Sequence, residues 1–258
     1  MTSRSLHTSP SHASRNQARA PRYGLARVLS KLGVCSRSQA EQAIRVGRVS
    51  VDGRCIRDPE RPTDPARERI VLDGTAVGEV ERIYIAINKP RGLVVSAADE
   101  RGRDTVYSLL EDAGLPWLGP VGRLDRASEG LLLLSNDSLW AAGLTEPKHH
   151  VDKTYHVQVD CIPAPTLLQT LVEGIEEAGE RLAARSVSLL RQGEKNAWLE
   201  IVLDEGRNRH IRRLLAAHDI GVLRLIRVAI GSLPLGALAK GQWRHLSAVE
   251  VRLLSVAR

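Results

Sequence analysis

The stretch GRLDRASEGLLLLSND, residues 122–137, places four consecutive leucines directly behind a cluster of acids and bases. A short apolar run bounded by turn-forming residues has the pattern of a buried strand. This one is entered through Arg123, Asp125, Arg126 and Glu129. A polar turn before a strand is the plain reading, with Asp125 bonding its own backbone. The other reading is that one of these charges is held against the core because it does chemistry. A carboxylate beside buried leucines is penalised by desolvation unless it is paired or hydrogen-bonded. Strand alternation points Arg123 and Arg126 elsewhere, so an arginine distant in sequence is the better candidate partner.

Around this stretch the apolar pattern describes a mixed domain. RIYIAINKPRG alternates at Ile83, Ile85 and Ile87 and stops at Pro90; TYHVQVD, WLEIVLD and LRLIRVAIG also read as strands. APTLLQTLVEGI and NRHIRRLLAAH have helical spacing. Strands outnumber helices and do not alternate with them regularly, which predicts α+β architecture with a largely antiparallel mixed sheet. Within DKTYHVQVD, Lys153, Tyr155, Val157 and Val159 share one face of a strand; a tyrosine there can be core, a hydrogen-bond donor or a surface on which a base stacks. DEGRNRHIRRLLAAH brings Arg207, Arg209, Arg212 and Arg213 to a helix start, a phosphate-binding pattern or else a solvated basic face. Arg212 is the member nearest the apolar positions and the one able to turn inward to a carboxylate.

The front of the chain reads as a separate unit. LARVLSKLG and SQAEQAIRVG are two short helices, the second capped by Ser36 or Ser38, and RVSVDGRCI is a hairpin turning at Asp52-Gly53. Residues 22–64 hold nine Lys/Arg, Arg27, Lys31, Arg37, Arg45 and Arg48 among them, against five acids. RDPERPTDPARE reads as a connection. The expected division is a disordered basic tail over 1–20, a small α/β module with its linker over 21–80, and a larger domain over 81–258. A transit peptide would share the composition of residues 1–20.

The 258 residues carry a net charge of +7, which favours a polyanionic partner, most simply nucleic acid. Phe is absent and aromatics are 3%, so the core must be built of Leu, Ile, Val and Ala. Three scattered cysteines, Cys35, Cys55 and Cys161, argue against a disulfide framework or a cysteine zinc site and suit a reducing cytoplasm. His149-His150 has no partner at metal-ligand spacing. The chain shows no apolar run of membrane-spanning length, no secretory leader, no GxxxxGK[ST] and no GxGxxG after a strand. Neither a metal nor a cofactor is expected.

Taken together, these stretches resemble the RNA pseudouridine synthases, in the branch containing the small-subunit rRNA enzyme and its large-subunit relatives. GRLDRASEGLLLLSND resembles that family's catalytic signature, and NKPRG (88–92), KTY (153–155), EGRNRHIRRLL (205–215) and RVAIGSLPLGALAKGQWRHL (227–246) follow in the same order. LARVLSKLGVCSRSQAEQAIRVGRVSVDG resembles the S4 RNA-binding module. The resemblance covers roughly residues 22–250. It implies that Asp125 is the catalytic carboxylate, that Tyr155 stacks on the target uracil, that Arg212 pairs with Asp125 and that Arg123 helps displace the base. Ser128 stands where Thr is commoner and keeps the hydroxyl. Arg126, Lys153, Arg207 and Arg209, with the five named cations of the front unit, are expected to hold RNA.

The activity implied is isomerisation of a specific uridine of ribosomal RNA, free or in a ribosomal-subunit precursor, by a cytoplasmic monomer. Uracil leaves C1′ through N1, turns and rejoins through C5, with no change of oxidation state. The carboxylate could attack C1′ or assist elimination at C2′, and the sequence leaves both open. The alternative is a non-catalytic S4-bearing RNA-binding or ribosome-assembly factor, which loss of Asp125, Tyr155 or Arg212 would favour; all three are present. An S4-bearing methyltransferase would need a glycine-rich cofactor loop after a strand.

Overall fold

The computed structural model describes residues 23–256 except 79, 98 and 100, so the tail expected over residues 1–20 lies outside the described residues. At the front, Leu25–Lys31 forms α1 and Arg37–Arg45 forms α2. Ser36, not Ser38, caps α2: its Oγ accepts from Gln39 N at 3.1 Å, while Gln39 Oε1 accepts from Ser36 N at 2.9 Å. This reciprocal capping box satisfies two amides the helix cannot pair itself. Val49–Val51 (β1), Arg54–Ile56 (β2), Ile70–Leu72 (β3) and Thr75–Ala76 (β4) form a sheet in the order β2-β1-β3-β4. Asp52 and Gly53 both take positive φ, +49° and +77°, as the two-residue turn between β1 and β2 requires. Leu25, Leu29 and Ile44 close with Val49, Val51 and Ile70 into a small core of the unit's own.

The larger unit contains β5 (Tyr84–Lys89), β6 (Gly119–Val121), β7 (Glu129–Ser135), α3 (Ser138–Thr145), β8 (Lys153–Val159) and α4 (Pro165–Glu173). It continues with β9 (Ser186–Gln192), β10 (Ala197–Leu203), α5 (His210–Ala216), β11 (Val222–Ile230), β12 (Trp243–His245) and α6 (Ala248–Val256). One nine-stranded sheet runs β9-β10-β8-β11-β7-β5-β12, with β6 beside β7 and Leu233–Pro234 beside β11. Every pairing is antiparallel except β11 with β7, so the sheet is mixed and the architecture α+β, as expected.

The leucine run is β7, buried along its whole length. Leu131 and Leu133 pack with Trp140 and Leu144 of α3, while Leu132 and Leu134 pack with Ile85 and Ile87. Burial on both faces explains why this strand is continuously apolar. Each such leucine contributes about 1.5–3 kcal/mol relative to exposure.

The parallel seam is short: Ile226 faces Glu129 and Arg227 faces Gly130, and there the pairing ends. Gly130 has φ +102°, and a Cβ added to it would stand 2.2 Å from Arg227 O. Only glycine permits this approach of the two backbones. The front unit is tied to the sheet at the opposite end of β7. Arg82 Nη1 donates to Lys31 O at 3.2 Å and Asn136 O at 3.0 Å, and the Asn136 side chain binds Ile83 N and Glu81 O.

Candidate active site

The segment from β6 into β7 forms a turn whose carbonyls are held by buried cations. Lys89 continues the Ile83-Ile85-Ile87 alternation and is therefore carried into the core, where it is 0% exposed. Its Nζ donates to Ser128 O at 2.9 Å, Pro90 O at 3.0 Å and Asp125 O at 3.3 Å. Burial pushes its ammonium down to about 8, opposed by Glu129 and Asp125. Arg227 holds the start of the turn and the strand that follows it, with Nη1 to Arg123 O at 3.4 Å and Nε to Leu131 O, inside β7, at 2.7 Å. Arg126 closes the middle: its backbone carbonyl accepts from Gly92 N at 2.8 Å and its Nε donates to Gly92 O at 3.0 Å. Asp125 is thus displayed from a turn fixed on three sides.

Asp125 lines a cleft of about 440 Å³ and, among the described residues, is its one carboxylate. The other charged side chains there are Arg103, Arg123, Arg126, Lys153, Arg207, Arg209 and Arg227, so the cleft is strongly positive. Tyr155 reaches it from β8, opposite Ile201 on one neighbouring strand and Arg227 on the other. It packs against two of the apolar clusters, half-buried, so the core and cleft-lining readings of this residue are both realised.

The ion pair expected between Arg212 and Asp125 is absent. The one guanidinium within 4.0 Å of Asp125 among the described residues is Arg209, with Nη1 at 4.0 Å from Oδ2. Arg212 is half-buried and spends its guanidinium on main-chain carbonyls, Val222 O and Ala127 O, each at 3.4 Å. Burial, with Arg209 and Arg91 nearby, lowers its affinity for a proton, and Asp125 opposes this through space. Arg212 therefore holds the turn that carries Asp125. Asp125 itself keeps 35% of its side chain exposed, and so is less desolvated than the leucine run suggested.

The arginine-rich helix start is also different from the expectation. Arg207 and Arg209 precede α5, which begins at His210, and Arg209 takes φ +50° at its N-cap. Arg207 Nε binds Glu205 at 2.8 Å. Arg213 is turned away to Glu177 and Glu180 at 2.5 and 2.7 Å and belongs to the packing of α5. Arg123, Arg207 and Arg209 meet at the cleft; Arg212 reaches only the smaller recess behind it.

Lys89, Arg227 and Glu129 were not singled out from sequence. Lys89 was legible in principle, as the next inward position of an alternating strand. Glu129, 2% exposed at the start of β7, accepts two bonds from Arg224 at 2.8 and 3.0 Å and one from Lys240 at 2.6 Å. Burial raises its pKa, but these hydrogen bonds outweigh that and bring it down to about 2. Its partners lie about a hundred residues downstream, beyond any local pattern.

The cations of the front unit stand apart from the cleft lining. Lys31 and Arg27 lie over the Tyr23 ring at 3.7 and 4.8 Å. Arg37 is paired with Glu41 and Glu60, Arg48 with Asp73, and Arg45 is exposed. Among the described residues no cluster of His, Cys, Asp and Glu could hold a metal ion, and no helix is long and apolar enough to cross a membrane.

A lone carboxylate and a tyrosine in a cation-lined cleft, on a mixed sheet with a small basic module attached, define an enzyme of polyanionic substrates. Comparison with known proteins agrees. Residues 83–217 match the family model for RNA pseudouridylate synthase and residues 24–65 that for the S4 domain. An uncharacterized RNA pseudouridine synthase of Rickettsia conorii is 36% identical over 86% of this chain and 96% of its own length. Ribosomal large subunit pseudouridine synthase B of Bacillus subtilis is 35% identical over 89% of this chain and 94% of its own. A crystal structure of a pseudouridylate synthase superposes with a TM-score of 0.64 at 29% identity, covering 90% of this chain and 99% of that one. The chain belongs to the RNA pseudouridine synthase family and carries an S4 domain. It is an enzyme that isomerises uridine in RNA.

Proposed function

We propose that the chain converts a uridine of ribosomal RNA to pseudouridine, with Asp125 as the catalytic carboxylate. The observation that carries this reading is that Asp125 is the one acid, among the described residues, in a cleft otherwise lined by cations. Such a cleft draws in the phosphate backbone and leaves one negative group to act on the sugar. The relative named as a ribosomal large subunit synthase supports ribosomal RNA as the substrate.

A uridine inside a duplex or stack is out of reach of Asp125, so the nucleotide must flip into the cleft, where Tyr155 offers a stacking surface for the uracil. Arg123, exposed at the rim, takes the space vacated by the base. Asp125 then either attacks C1′ or removes the C2′ proton. In both cases the C1′–N1 bond breaks with its electron pair on uracil. The freed ring turns and C5 bonds to C1′; on the first route this displaces the carboxylate from C1′, and on the second Asp125 returns the proton to C2′. The C5 proton is then lost and N1 is protonated. Atoms and electrons balance within the nucleotide. Lys89, Arg227 and Arg212 keep the carboxylate placed by fixing the carbonyls around it, and positioning of this kind contributes strongly to rate.

Residues 21–80 serve as the RNA-holding module, with Arg27, Lys31, Arg37, Arg45 and Arg48 as phosphate contacts, and residues 81–258 as the catalytic unit. Arg126, Lys153, Arg207 and Arg209 contact the same RNA at the cleft. The enzyme acts as a cytoplasmic monomer on ribosomal RNA or a subunit precursor. Mapping pseudouridines in ribosomal RNA from cells with and without the gene tests this: one or a few sites should disappear, and return with wild-type protein. An unchanged map would move the substrate to another RNA.

A further inference from the structure

Several half-buried cations of this protein have an acid beside them: Arg61 has Glu68, Arg213 has Glu177 and Glu180, Arg224 has Glu129, and Arg244 has Glu250. Two that line the cleft do not. Arg227 is 4% exposed, and its Nε and Nη1 donate only to main-chain carbonyls; Nη2 has no hydrogen-bond partner among the described residues. The side chain of Lys153, half-buried on the neighbouring strand, makes neither a hydrogen bond nor an ion pair among the described residues. The acids nearest in its field, Asp204 and Asp152, are engaged by His150 at 3.1 Å and Arg185 at 2.7 Å. Burial and the charge of Arg227 push the Lys153 ammonium below its usual range.

Two adjacent, poorly hydrated positive charges without a counter-ion are costly in the free protein. An anion entering the cleft removes that cost, and uracil, neutral before bond cleavage, does not supply one. A phosphate does. Flipping turns a nucleotide about its own backbone, so the two phosphates flanking the uridine are the pivots of the motion and come to rest at the cleft with the sugar between them.

We propose that Lys153, backed by the buried charge of Arg227, binds one of the two phosphates flanking the target uridine. This rests on the reading that a flipped uridine enters the Asp125 cleft. The phosphate is then the fixed point from which C1′ is held against Asp125, and Lys153 is a substrate-positioning residue whose loss acts on a single linkage of the RNA.

The test uses the full chain and a short RNA carrying the mapped uridine, with the phosphate on its 5′ or its 3′ side replaced by an uncharged methylphosphonate. For wild-type protein, one of the two replacements should lower kcat/KM about tenfold or more, as loss of a charge-assisted hydrogen bond does. For Lys153→Gln the same replacement should cost less than about threefold, and Lys153→Arg should restore the sensitivity. Equal losses in wild type and Lys153→Gln at both linkages would overturn the subsite while leaving the enzyme's function in place. No pseudouridine from the unmodified RNA, in either protein, would instead overturn the underlying reading and the proposal with it. Lys153 is only half-buried and makes no structural bond, so its variants are expected to fold; unfolding curves that superpose on wild type confirm that the comparison reads binding.

Discussion

The front module and the cleft both concentrate positive charge, but they hold it in different ways. In the front module Arg37, Arg45 and Arg48 stand in water, and two of them share their charge with acids on the same surface. Around the cleft, Lys89, Arg212 and Arg227 are withdrawn from water and donate to the backbone of the turn that carries Asp125. Exposed charge contributes little to stability and much to attraction for RNA, in a manner that salt weakens. Buried charge donated to carbonyls fixes geometry and is insensitive to salt. The same residue types therefore serve capture in one place and positioning in the other.

The sharpest way to break the cleft's side of this contrast is at the seam. Gly130→Ala would force a Cβ against Arg227 O at a φ that disfavours side chains. The expected cost exceeds about 3 kcal/mol, or the protein fails to fold. Urea unfolding reads this; a variant of near wild-type stability would mean that the two strands part more easily than the geometry requires.

Next is Glu129→Gln, expected to lose about 3 kcal/mol because two cations lose their shared acid. Glu129 is held at about 2, below its ordinary 4.5, so its stabilisation is complete above about 4.5 and is lost as pH falls from there towards 2. Wild-type stability should fall across that window, and the variant's should fall less. Parallel acid profiles would show that the triad contributes nothing to folding.

Arg212→Ala should cost about 1–2 kcal/mol, for two long bonds to carbonyls, and lower activity by roughly 10–100-fold through displacement of the Asp125 turn. If the variant keeps full activity, the turn is held adequately by Lys89 and Arg227 alone. Smallest of all is the effect of Arg45→Ala with Arg48→Ala on folding, where the unfolding midpoint should stay unchanged. RNA affinity should weaken, with the salt slope shallower by roughly 0.7–0.9 for each phosphate no longer neutralised. An unchanged slope would take these two residues out of the RNA interface.

What could be read in the sequence was whatever has a local period or a contiguous motif. The capped helix at Arg37–Arg45, the Asp52-Gly53 turn and the buried run at Glu129–Ser135 each carry their signal within a dozen residues. Asp125 and Tyr155 were visible because the motifs around them are contiguous, and the fold brings both to one cleft. The arginine assignments were harder. A helical wheel places Arg212 inward but does not say whether its guanidinium meets a carboxylate or a carbonyl, and it meets Ala127 O and Val222 O. Arg209 lay outside the expected pairing because its αL backbone at the helix start redirects its side chain toward Asp125. Glu129 reads locally as one more turn charge; its role exists only once β11 and the loop at Lys240 have folded against β7.

The contrast between capture and positioning rests on Asp125 being the acting group inside the positive cleft. Asp125→Asn keeps the size and shape of the side chain and removes its charge. Single-turnover conversion of uridine to pseudouridine, measured beside RNA affinity in protein free of wild-type carry-over, tests this directly. The account predicts a loss of at least about 10³-fold in rate with RNA affinity retained. Turnover near the wild-type rate would contradict it and remove Asp125 as the catalytic carboxylate.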